Sequence, residues 1–139
     1  QAKNWWGFSL LAMRLAVLFP DRRGELKLND ETWDGMKGEL DKYRKAKDWW
    51  SFSYMAMNLV VLFPDRRSEL DLDEKNWEGM KGQLNQYRQD RNWWNFSRIV
   101  RNLTILAAQD ARITKNGIQI TPKKPKLAPD PVPLPQRPR

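Results

Sequence analysis

Apolar residues recur along this chain in steps of three and four: Trp5, Phe8, Ala12, Leu15 and Phe19 in one stretch, and Trp49, Phe52, Ala56, Leu59 and Phe63 in another. Such steps put the residues on one face of an α-helix. Further apolar groups at Leu11, Met13, Val17 and Leu18 widen the stripe, so the pattern predicts a helix that is mostly buried. Asn4, Asp48 and Asn92 each stand directly before a tryptophan pair, where they serve as N-caps. Pro20 and Pro64 end the helix, because the residue before a proline is driven out of the α region.

An aperiodic connection follows, and then a second pattern. Leu28-Asn29 and Leu72-Asp73 read as a helix start, with Asn29 or Asp73 as N-cap and Leu28/Trp33 or Leu72/Trp77 at the spacing of a hydrophobic staple. This helix buries Trp33, Met36, Leu40 and Tyr43, matched by Trp77, Met80, Leu84 and Tyr87, with polar residues between. Nothing between Tyr43 and Trp49 is a helix breaker, but one continuous helix would be about thirty residues long, far above the usual length, so a break at Asp48 is expected. Gly35, Gly38, Gly79 and Gly82 each cost roughly 1 kcal/mol in a helix relative to alanine. Their recurrence points to close approach by another backbone or by a tryptophan ring.

The two patterns form a unit that repeats. Trp5-Trp6, Trp49-Trp50 and Trp93-Trp94 are spaced by 44 residues, and 26 of the 44 positions in 3–46 are identical in 47–90. A fixed period of this length predicts a helical-hairpin repeat, an all-α, solenoid-like array of 44-residue units. The length falls in the range of HEAT-type helical pairs, whose residue signatures are absent here. The third copy keeps Trp93, Trp94, Phe96, Ser97, Asn102, Leu103 and Leu106, then departs. Arg98 and Arg101 replace Leu10/Tyr54 and Met13/Met57, as expected of a capping unit with no neighbour to bury it. The expected organisation is repeat 1 in 1–46, repeat 2 in 47–90, a partial capping repeat in 91–110, a β-hairpin in 111–121 and a basic proline-rich tail in 122–139. Gln1-Ala2 matches Lys45-Ala46, the end of a unit, so a preceding unit is expected upstream.

The hairpin rests on Asn116-Gly117 between alternating apolar residues, a type I′ signal. A lone hairpin is marginal in water and must lie on the last helices or on a partner. The tail holds seven prolines, which leaves polyproline II or disorder.

Composition narrows the chemistry. The chain has 139 residues, 40% of them hydrophobic, and eight tryptophans, enough for a core. It has no cysteine and no histidine, which excludes disulfides, the usual zinc and haem ligands, thiol nucleophiles and histidine-based catalytic dyads. No catalytic residues, metal site or cofactor are expected, and no carboxylate pair suggests acid–base work. Absent cysteine fits a cytoplasmic protein. The longest uncharged apolar run, Trp49 to Phe63, falls short of the roughly 20 residues that span a bilayer. Of the net charge of +8, the segment from Pro122 holds +4, from five Lys/Arg and one Asp.

The tryptophans Trp5, Trp6, Trp33, Trp49, Trp50, Trp77, Trp93 and Trp94 are expected in the core, against the alternative of a stacking platform for bases. Asp71, Asp73 and Glu74 read as helix-start charge rather than a calcium site. Arg22, Arg23, Arg66 and Arg67 are candidates for binding phosphate or an acidic partner once per unit, or else a solvated turn paired with Glu25 and Glu69. In the tail, Val132-Pro133-Leu134-Pro135-Gln136-Arg137 is similar to SH3-domain ligands, and Lys123, Lys124, Lys126, Arg137 and Arg139 could lie along RNA phosphates. The expected function is a non-enzymatic scaffold for a protein partner or larger assembly; the alternative is an RNA-contacting structural part of a ribonucleoprotein such as a ribosome-associated protein.

Overall fold

The computed structural model describes residues 3–123, which form a mostly helical fold followed by a short antiparallel hairpin. The helices are α1 (Trp5–Leu18), α2 (Asp30–Ala46), α3 (Trp49–Leu62), α4 (Glu74–Gln89) and α5 (Trp93–Ala107); the strands are β1 (Asp110–Thr114) and β2 (Gly117–Thr121). The helix starts lie where capping residues stand. Asn4, Asp48 and Asn92 accept from Gly7, Ser51 and Asn95 N–H through their side chains. Asn29 forms a reciprocal capping box with Thr32, and Asp73 accepts from Asn76 N–H.

The break at Asp48 is present. Lys47 turns left-handed at φ 56°, its N–H bonds the Arg44 carbonyl, and Asp48 N–H reaches the Tyr43 carbonyl at 3.0 Å. A lysine in this region costs about 1–2 kcal/mol, offset by satisfying the last carbonyls of α2. Arg91 does the same after α4, with Asn92 N–H on the Tyr87 carbonyl at 2.9 Å. The connections after α1 and α3, unassigned by periodicity, are 3₁₀ helices, Pro20–Leu26 and Pro64–Leu70, each with proline at its first position.

Helix α3 is the centre. Every residue from Phe52 to Leu62 is buried, because α1, α2, α4, α5 and β1 all pack on it. The core runs through Trp33, Met36 and Leu40 of α2 and Met55 and Leu59 of α3, with the Trp33 and Phe63 rings edge to face at 5.2 Å. Two polar contacts cross between first helices: Asn58 Nδ2 donates to Ser9 Oγ at 3.1 Å, and Asn102 Nδ2 to Ser53 Oγ at 3.2 Å.

The tryptophans divide by position. Trp33 is buried; Trp5, Trp6, Trp49, Trp50 and Trp77 are half-buried and pack against the core; Trp93 and Trp94, expected inside, are 56% and 67% exposed. Trp5 lies on Gly35 of α2 and Trp49 on Gly79 of α4. After α5 the chain enters the hairpin instead of a second helix, so among the described residues no following helix covers Trp93 as α4 covers Trp49.

The hairpin pairs Asp110 with Thr121 through Thr114 with Gly117 and packs Ala111 onto α3. Its turn is not type I′. Only Gly117 has positive φ, 99°, so Lys115 and Asn116 make a turn of the type I sense, and the glycine follows as a bulge. Thr114 Oγ1 fixes it, donating to the Gly117 carbonyl and accepting from Asn116 N–H, both at 3.1 Å.

Candidate functional site

The arginine pairs of the 3₁₀ turns are largely absorbed by the fold. Arg23 Nη2 donates to the Leu62 carbonyl at the end of α3, and Arg67 Nη2 to the Leu106 carbonyl at the end of α5. A cation at a helix C-terminus meets both the free carbonyls and the negative end of the helix dipole. Burial lowers the pKa of both guanidinium groups, opposed at Arg67 by Asp110 and, at Arg23, reinforced by Arg112 and opposed by Asp65. Arg66 bonds Glu69 through Nε at 2.8 Å and Asp30 through Nη1 at 2.8 Å, and stacks 4.4 Å over the Trp33 ring. Arg22 alone is outward, in a two-bond pair with Glu25.

Of the basic tail, Lys123 is exposed at the end of the described residues, while Lys124, Lys126, Arg137 and Arg139 lie outside them, as does the segment similar to SH3 ligands. Asp73 is the cap of α4, and among the described residues no group of three or more acidic side chains could hold a metal ion.

A concave surface lies elsewhere, where α1, α3, α5 and the hairpin meet around a cavity of about 420 Å³. Its wall on α1 includes Met13, Arg14 and Val17; its floor on α3 is Tyr54, Met57 and Asn58. From α5 come Arg98, Arg101 and Ile105, and Ile118 of β2 closes one end. Four positions of the 44-residue unit therefore converge here: 10/54/98, 13/57/101, 14/58 and 17/105. In the first two, the third copy exchanges an apolar or aromatic residue for arginine.

Arg14, Arg98 and Arg101 form no ion pair among the described residues, and no Asp or Glu lines the cavity. Aromatic faces hold two of them: Arg98 lies 4.2 Å over Trp94 and Arg101 5.7 Å from Tyr54. Asn58, 1% exposed, has its Oδ1 buried without a partner. An unmet buried acceptor costs about 1–3 kcal/mol. At the matching place one unit on, Asn102 Oδ1 receives a long bond from Arg101 at 3.5 Å; beside Asn58 the corresponding residue is Met57, which has no donor.

In the sequence Arg98 and Arg101 stand three residues apart on one face of a helix, but nothing in local periodicity brings Arg14 to them. The available signal is their register in the 44-residue unit. No protein-family model, curated protein or solved structure matches this chain.

Proposed function

We infer that the chain is a non-enzymatic interaction scaffold, a solenoid-like array of 44-residue helical hairpins that offers its faces to a protein partner or a larger assembly. The observation that carries this reading is the state of equivalent side chains on α1 and α3. Leu11, Leu18 and Phe19 are 58%, 69% and 52% exposed, whereas Met55, Leu62 and Phe63, 44 residues on, are 0%, 1% and 9% exposed. On α3 that face is covered by neighbouring helices, with Phe63 against Trp33 of α2. The same apolar face on α1 is uncovered among the described residues, and large contiguous apolar surface of this kind marks an interaction site.

The engagement of Arg23, Arg66 and Arg67 by carbonyls and carboxylates favours a protein partner over the RNA-contacting alternative, since those groups are no longer free for phosphate. Affinity capture on the immobilised chain tests the reading, with and without ribonuclease and with a Leu11→Asp/Phe19→Asp variant. Capture that survives nuclease and is lost in the variant supports the scaffold. Capture lost on nuclease treatment replaces it with the ribonucleoprotein reading.

A further inference from the structure

The cavity between α1, α3 and α5 shares Leu18 with the uncovered face of α1, but Leu11 and Phe19 do not line it, and its arginines give it a recognition chemistry of its own. Arg98 is half-buried, Arg14 and Arg101 are exposed, and none of the three has a counter-charge among the described residues. An anion that enters gains charge-assisted hydrogen bonds from them beside apolar surface. Between the arginines the surface is apolar, with Met13, Met57, Val17 and Ile105. The volume of about 420 Å³ lies in the range of small-molecule sites and is too small for a folded partner element.

The wall of the cavity thus presents cations and an apolar floor.

We propose that this cavity binds a small amphiphilic carboxylate. Arg14, Arg98 and Arg101 meet its carboxylate, and Met13, Met57, Val17 and Ile105 its apolar body. The partner is a free small molecule and not an acidic peptide.

Dansylamino-undecanoate has both features and reports an apolar environment by its fluorescence. Titrated into the whole chain, it is expected to bind saturably at one site, with affinity falling as salt rises. Its methyl ester, which lacks the charge, is expected to bind about tenfold more weakly or worse, and so is the acid with an Arg98→Gln/Arg101→Gln variant of unchanged circular dichroism. Arg14→Gln, an exposed position on α1, gives a second reading should the double variant fold poorly.

Equal binding of acid and ester, full affinity in both arginine variants, or binding of an acidic peptide where the probe fails would each overturn the proposal. Partner capture by the Leu11/Phe19 face is read separately, so failure of the probe leaves the scaffold reading standing.

Discussion

Gly79 of α4 lies against the indole of Trp49, so close that a Cβ built on it would stand 2.2 Å from ring atom Cε2. Gly35 and Trp5 repeat the relation at 2.0 Å. A glycine inside a helix costs about 1 kcal/mol relative to alanine, yet here the missing Cβ is what admits the ring. Gly79→Ala is therefore expected to destabilise by about 1–3 kcal/mol in urea unfolding, the cost of overpacking exceeding the gain in helix propensity. Gly82, in the same helix, has nothing within 4 Å of its built Cβ, and Gly82→Ala is expected to stabilise by up to about 1 kcal/mol. Equal effects at the two positions would mean that the indole moves aside freely.

Arg67 and Arg22 stand in matching turns but carry different weight. Arg67 closes the end of α5 through the Leu106 carbonyl, and it is partly buried. Arg67→Ala should leave that carbonyl short of a partner and cost about 1–3 kcal/mol. Arg22 is fully exposed in its pair with Glu25, so Arg22→Ala should leave the unfolding midpoint where it was. A comparable loss from both substitutions would show that the turn, and not the helix-end bond, is what matters.

The helix ends were legible because each rests on a local rule: a cap at Asn4, Asp48, Asn92, Asn29 or Asp73, and a stop at Pro20 or Pro64. Gly35 and Gly79 were legible as places of close approach, while Gly38 and Gly82 share the spacing without the contact. The 3₁₀ helices carry no apolar period and could not be read that way. Asn116-Gly117 located the hairpin, but the turn type follows from where the strands must land on α3, and that is a tertiary fact. Trp93 and Trp94 show the limit of pattern reading: an apolar stripe says which side chains can be buried, not whether a neighbour exists to bury them. Of the candidate site only the Arg98/Arg101 spacing and the register in the 44-residue unit were legible, since Arg14 of α1 meets the two arginines of α5 through helix packing.

The pH dependence of stability follows from groups at the two ends of the range. Hydrogen bonds from Arg22, Lys3 and Arg66 hold Glu25, Glu31 and Glu69 below their usual 4.5. With folded values depressed, their contribution is present above the unfolded value and is lost as pH falls through the folded ones. Tyr43 and Tyr87 are raised above 10.0, chiefly by burial. Their contribution is present below the unfolded value and is lost as pH rises through the folded one. There is no histidine or cysteine to titrate between. The urea midpoint is expected to be flat from about pH 6 to about pH 9 and to fall on both sides. A step near neutrality would contradict this assignment.

Ser9 and Asn58 are both buried, and their bond at 3.1 Å is a polar link between α1 and α3. Ser9 Oγ also donates to the Trp6 carbonyl, so Asn58 Nδ2 depends on Ser9, while Ser9 has a second partner. Ser9→Ala should therefore strand the amide, whose Oδ1 is already unmet, at a cost of about 1–3 kcal/mol. Asn58→Leu, close in volume, removes both unmet atoms and places an aliphatic group among Met57, Leu59 and Val61. It is expected to cost less. In the Asn58→Leu background, Ser9→Ala should lose about 1 kcal/mol or more of its effect, because the group it would strand is gone. A double-mutant cycle by urea unfolding, run without ligand, measures that coupling. Strict additivity would mean that the bond contributes nothing to holding α1 on α3, and that apolar packing alone sets the geometry of the cavity between them.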